Sequence, residues 1–157
     1  MLKRNVWLCP CLTIADYTLT EGARRGIPRE SLEKASKLHH KHYMSSLKAH
    51  DAGVRMFAGT DSCNTMPFGR HAREVELLVR HSGFSPGEAL IAATRDAARA
   101  IGVSHLTGTL EPGKRADIVV IDGDPLKDPS VLQQKEKIIS VYKDGVLMAE
   151  TNEQSDG

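Results

Sequence analysis

Two short apolar runs, Val6-Trp7-Leu8-Cys9 and Val54-Arg55-Met56-Phe57-Ala58, lie on either side of one long helix-forming stretch. Pro10 stops the first run and Gly59 the second, so each reads as a short buried strand. Strand, helix, strand is the alternation that lays two strands parallel in one sheet. Parallel sheets are covered on both faces, and two strands cannot supply that cover. No other feature limits the fold as strongly: the pattern calls for further strands. A complete eight-stranded α/β barrel takes roughly 250 residues. With 157 residues, the chain is expected to begin in mid-fold, one step before a strand.

The stretch between the two runs has Pro28 at its head and neither Pro nor Gly until Gly53. Leu32, Ala35, Tyr43 and Leu47 fall on one arc at helical spacing, which predicts a helix closed by Gly53. The segment from Pro10 to Pro28 reads as a loop. Arg70 to Ser82 predicts a second helix, with Ala72, Val75 and Val79 on one face, Gly83 as its stop and Phe84 folding back on Val79. Ser85-Pro86-Gly87-Glu88 is a capping box that opens a third. Thr94 is expected to cap a fourth, Arg95 to Ile101, in which Arg95, Asp96 and Arg99 form exposed pairs.

After Gly102 the pattern changes to short strands. Glu111-Pro112-Gly113-Lys114 is a tight turn and not a phosphate cradle. Asp117 to Asp122 reads as a buried strand with solvated carboxylates at its ends. Ile138 to Tyr142 and Val146 to Ala149 flank Asp144-Gly145, a strong hairpin signal. The tail from Thr151 is polar and expected to fray. The division expected is residues 1–105, residues 106–150 and a polar tail at 151–157.

Charge and composition exclude some classes of function. Lys and Arg number 21 against 20 Asp and Glu, with no basic stripe interleaved with aromatics, so no nucleic-acid partner is expected. No apolar run nears the roughly 20 residues that span a bilayer, so no membrane role is expected. Met1 to Leu8 lacks the apolar core of a signal peptide. Three cysteines, an odd number, fit free thiols in a reducing compartment, which gives a cytoplasmic expectation.

Four segments in order resemble the C-terminal third of the amidohydrolase superfamily. They are Ala58-Gly59-Thr60-Asp61-Ser62 at a strand end; Ser85 to Leu90 running into Ala93-Thr94-Arg95-Asp96-Ala97-Ala98-Arg99-Ala100-Ile101-Gly102; Gly108 to Ile121; and Ile139 to Gly145. Within the superfamily the chain looks most like the prolidase-like and imidazolonepropionase-related branch. The resemblance implies an α/β fold: the C-terminal fragment of a metal-dependent (β/α)8 barrel plus part of a small β-sandwich. Val6–Cys9 and Val54–Ala58 would be its seventh and eighth strands.

The resemblance also implies a hydrolase acting on amide or peptide C–N bonds, with a small-molecule or dipeptide substrate. It implies one or two divalent metals, zinc first. Asp61 then matches the family's last metal ligand, an Asp after the eighth strand. A carboxylate there can ligate a metal that acidifies bound water, and can move that water's proton to the leaving amine. Read from spacing alone, Asp61 is instead a turn or N-cap aspartate. Ser62 and His71 are lesser candidates, for contact with substrate or support of Asp61.

One carboxylate is not a zinc site, since catalytic zinc takes about three protein ligands. The one His-x-His among the seven histidines, His40-Lys41-His42, lies inside the predicted helix and not after a strand. His39-His40-Lys41-His42 reads as a solvated helix face. Cys9, Cys11 and Cys63 follow adjacent strands at one end, as inert thiols or as a soft-ligand or redox group. Two functions stay open: an enzyme fragment inactive alone, and a non-catalytic chain or interaction partner. Its unfinished sheet predicts homo-oligomers or association through exposed edges.

Overall fold

The computed structural model describes residues 1–63, 66 and 68–151. All of the expected polar tail beyond Thr151 lies outside the described residues. Five α-helices come first: α1 (Leu12–Glu21), α2 (Arg29–Asp51), α3 (Ala72–His81), α4 (Pro86–Ala93) and α5 (Arg95–Ala100). Three strands follow: β1 (Ile118–Ile121), β2 (Ile138–Lys143) and β3 (Val146–Glu150). They pair antiparallel in the order β1-β2-β3.

The two apolar runs do meet in parallel, but only through a single bridge, Leu8 with Met56. Leu8 N–H donates to Arg55 O (2.9 Å) and Phe57 N–H to Leu8 O (3.0 Å). Pro10 has no N–H and cuts the ladder short, so the expected strands are reduced to this contact. Arg55 stacks over Trp7, with its Cζ 4.4 Å from the ring centroid, and ties the start of the first run to the second. Ala58 N–H donates to Ala92 O of α4, which seats α4 under the end of the second run (3.1 Å).

The helix-period readings for α2, α3 and α4 hold, with one shift of face. On α2 the inward arc runs through Leu32, Ala35, Tyr43 and Leu47, and also Ser46. On α3 the most enclosed residues are Glu74, Val75, Glu76, Leu77 and Leu78, while Ala72 and Val79 are only half-buried. Leu12, Tyr43, Met56, Val75, Leu77, Leu78, Phe84, Ala89 and Ala92 form the core cluster. Ser46 and Ser82 join α2 to the end of α3 through a buried hydroxyl pair (2.6 Å). The capping box of Ser85 and Glu88 is present as read.

Other readings are corrected. The supposed loop after Pro10 contains α1. Its first buried amides are capped not locally but by Glu74 of α3: Leu12 N–H (2.9 Å), Thr13 N–H (2.7 Å) and the Thr13 hydroxyl (2.6 Å) all donate to that carboxylate. Burial pushes the Glu74 carboxyl above the usual range, and these three donors and His42 pull it back. Thr94 caps nothing with its side chain; its hydroxyl donates back to Leu90 O (2.7 Å). The run Ile118–Ile121 is a strand but not a buried one: Val119 is 54% exposed, because only β2 pairs with it and no layer covers it among the described residues.

Asp117 is a clamp and not a solvated end. Its carboxylate accepts from Lys143 Nζ (2.7 Å), Asp144 N–H (3.0 Å) and Thr107 Oγ1 (3.0 Å). The clamp fixes the β2–β3 turn, where Asp144 (φ 52°) and Gly145 (φ 79°) take the paired left-handed conformation of a type I′ hairpin. The Lys143 hydrogen bond is the main reason the Asp117 pKa falls from 3.8 to about 2.

Glu74→Ala is expected to lower the unfolding free energy by about 3 kcal/mol, because buried donors lose their acceptor. Urea unfolding followed by circular dichroism measures it; a loss near zero would mean that α1 needs no cap from α3. For Asp117 the sign follows from a depressed folded pKa. Its contribution to stability is present above pH 3.8 and is lost as pH falls toward about 2. A carboxyl NMR titration should put its midpoint near 2; an unshifted midpoint would remove the clamp.

Candidate functional site

The single bridge between Leu8 and Met56 runs in parallel, so both runs leave toward the same end. Cys9 to Cys11 emerge from one run and Gly59 to Cys63 from the other. Their packing is close enough that a Cβ on Gly59 would lie 2.4 Å from Cys9 Sγ. A side chain at this position would force Cys9 Sγ to move.

Asp61 stands on this edge, exposed to solvent, with its backbone in the left-handed region (φ 53°). Aspartate tolerates that conformation better than most residues. Thr60 beside it is buried, and Thr60 Oγ1 and Ser62 Oγ bond to each other (2.8 Å). The two hydroxyls thus brace the turn on both sides of Asp61. His71 is exposed and immediately precedes α3. Cys63 is exposed as well.

Cys11, like Asp61, has a left-handed backbone (φ 52°) and sits at the head of α1. Its Sγ lies 3.4 Å from Cys9 Sγ, and both thiols are half-buried. The Cys11 hydrogen bond draws the Cys9 thiol pKa down, and the same bond with burial drives that of Cys11 up. The carboxylates of Asp61 and Glu74 act on both thiols, which places this pair in the field of the Asp61 edge.

The helix histidines are a solvated face only in part: His40 is exposed, while His39 and His42 are half-buried. His42 Nε2 is 2.7 Å from Pro10 O, anchoring the turn between the two cysteines. His39 packs edge-on against Tyr43, with ring centroids 4.7 Å apart. Tyr43 stacks flat on His81 at 4.0 Å, and burial pushes its hydroxyl up to about 12. Among the described residues no group of three or more His, Cys, Asp and Glu side chains is arranged to hold a metal ion. No such group surrounds Asp61 among the described residues.

Sequence reasoning missed Glu74 and Thr13, whose contact supports this edge. The one available signal was a charged residue next to Val75 on a helix whose buried face was placed too narrowly.

The family model described as the amidohydrolase family matches residues 1–148. Ochratoxinase of Aspergillus niger is 36% identical over 123 residues, which are 78% of this chain and 25% of that protein. Imidazolonepropionase of Geobacillus kaustophilus is 46% identical over 74 residues, covering 46% of this chain and 17% of that protein. A prolidase solved in complex with N-methylphosphonate-L-proline superposes with a TM-score of 0.82 at 28% identity, over 96% of this chain and 36% of that one. The chain thus spans about a quarter of the ochratoxinase it matches. No helix among the described residues is long and apolar enough to cross a membrane. On the family match and these relatives together, the chain belongs to the amidohydrolase family.

Proposed function

We propose that this chain is the C-terminal part of a metal-dependent hydrolase that cleaves amide or peptide C–N bonds in small, dipeptide-like substrates. In this reading the runs around Leu8 and Met56 are the last two strands of a (β/α)8 barrel. The sheet β1-β2-β3 belongs to a small β-sandwich. Barrel enzymes carry their chemistry at the C-terminal ends of the strands.

The observation that carries the reading is Asp61. It is an exposed carboxylate just past the second parallel run, held in a left-handed turn between the bonded hydroxyls of Thr60 and Ser62. A divalent metal, zinc by preference, would supply an acidified water at such a site. Asp61 would give it one oxygen ligand, and its carboxylate would accept a proton and return one to the leaving amine. The remaining ligands must come from residues outside this chain, so the chain alone is inactive. Ser62 supports Asp61 through the turn, and His71, exposed ahead of α3, is available to a substrate. The named substrates of the relatives, with an L-proline phosphonate among the ligands, favour an N-acyl amino acid or dipeptide.

A second reading rests on the exposed sheet. Leu147 (46%), Met148 (64%) and Val119 (54%) leave it apolar and open to solvent. Such a surface associates. The chain then acts as an interaction partner and not as a catalyst.

Elemental analysis of the purified chain should find no stoichiometric zinc, and dipeptides or N-acyl amino acids should not turn over with zinc added. Stoichiometric metal with turnover lost in Asp61→Ala would show that the ligands lie within this chain. Grafting the chain in place of the matching region of the prolidase should preserve hydrolysis, and Asp61→Asn in that graft should lower kcat by roughly 100-fold or more. An active Asp61→Asn graft would remove the proposed role. Sedimentation velocity should show the isolated chain as oligomers; a clean monomer at micromolar concentration would count against the open-sheet reading.

A further inference from the structure

We propose that Cys9 and Cys11 are a peroxide-responsive thiol pair that closes reversibly into a disulfide on the edge that carries Asp61. The proposal does not rest on the hydrolase reading. It begins from the contact itself: Cys9 Sγ and Cys11 Sγ are 3.4 Å apart across a single proline. A disulfide needs about 2.05 Å, so closure requires a movement of about 1.4 Å.

Several features hold the thiols in that contact. Pro10 between them is buried, and its carbonyl oxygen meets His42 Nε2 at 2.7 Å. Gly59 leaves the space that Cys9 Sγ fills. Cys11 keeps a left-handed backbone, a conformation that is costly for a non-glycine residue and persists only where its surroundings impose it. Those surroundings are the next two residues, Leu12 and Thr13, whose amides are bound to Glu74. The thiols are only half-buried, so a small oxidant reaches them.

The roles of the two sulfurs differ. Either sulfur can donate in this contact, which draws the Cys9 thiol pKa down and, with burial, drives that of Cys11 up. Cys9 is therefore the attacking sulfur and Cys11 the resolving one. Cys9 Sγ attacks one oxygen of hydrogen peroxide and the O–O bond breaks. The sulfur becomes a sulfenic acid, and the departing hydroxide takes the Cys9 proton to form water. Cys11 Sγ then attacks the sulfenic sulfur, the S–O bond breaks and the S–S bond forms. The second hydroxide leaves as water with the Cys11 proton. Two thiols and one peroxide give one disulfide and two waters. A dithiol reductant reverses the step by exchange.

The chain lends itself to a direct test. Trypsin releases residues 5–24 as one peptide, which holds Cys9 and Cys11 but not Cys63. After one equivalent of hydrogen peroxide this peptide should lose two hydrogens in mass and resist alkylation, and dithiothreitol should restore it. In Cys11→Ser, Cys9 should accumulate as a sulfenic acid that dimedone traps. In Cys9→Ser, oxidation of Cys11 should be slower by about tenfold, because the favoured thiolate is gone. The folded chain should also react faster than the chain in urea, which still has both cysteines but not their geometry. Equal rates in the two states would overturn the proposal. So would a peptide 5–24 that gains oxygen irreversibly, or a disulfide found only between chains or to Cys63.

Discussion

A carboxylate on one helix caps another helix sixty residues away, and much of the N-terminal half depends on that contact. The first amides of an α-helix have no partner within the helix. In α1 those of Leu12 and Thr13 are also buried, where water cannot serve them. Glu74 takes both, and the Thr13 hydroxyl with them. Unlike Glu76, which lies against Arg73 (2.7 Å) and Arg80 (2.8 Å), Glu74 is met chiefly by neutral donors. The partial positive charge of the helix N-terminus therefore stands in for a cation. Because α1 follows Cys11 directly, the same contact fixes where the first apolar run ends and how it lies against Gly59.

This explains which parts of the fold could be read in advance. Patterns that are local in sequence were legible: the arc of Leu32, Tyr43 and Leu47, the Ser85–Glu88 capping box and the Asp144-Gly145 hairpin each depend on residues within one helix or one hairpin. The helix α1 was not legible, because its cap is supplied from α3 and its own sequence is rich in threonine, a weak helix former. The exposure of β1 was hidden for a related reason. Ile118-Val119-Val120-Ile121 has the composition of a buried strand, but composition cannot say whether a covering layer is at hand. The site was legible only as a position. Spacing alone made Asp61 a turn residue and only the family resemblance singled it out, while the bracing of Thr60 by Ser62 and the proximity of the thiols depend on the turn itself.

The edge around Asp61 is unusual in holding two non-glycine residues with left-handed backbones, Cys11 and Asp61, one on each of the two parallel runs. Asn5 and Asp144 share that conformation, but asparagine and aspartate adopt it readily in turns. Cys11 has no such excuse. Strain of this kind persists where packing and hydrogen bonds over-determine the backbone, and here the Glu74 cap, the His42 contact to Pro10 and the space beside Gly59 do so together.

Aspartate takes this backbone readily, so the two roles Asp61 can have differ in what its side chain is for. As a turn residue it would be chosen for its backbone, and glycine would serve as well or better, since a left-handed φ costs glycine nothing. As a ligand and proton carrier it would be chosen for its carboxylate, and the backbone conformation would be tolerated. Its side chain is exposed on the edge, and the neighbouring hydroxyls of Thr60 and Ser62 bond to each other. In the proposed function this exposed carboxylate is the group that an incoming cation or substrate would meet. The thiol pair occupies the same edge, and its closure would pull on Cys11 and so on the head of α1. One rigid element, the α1 N-terminus held by Glu74, thereby links the chemistry of the cysteines to the position of the edge on which Asp61 stands.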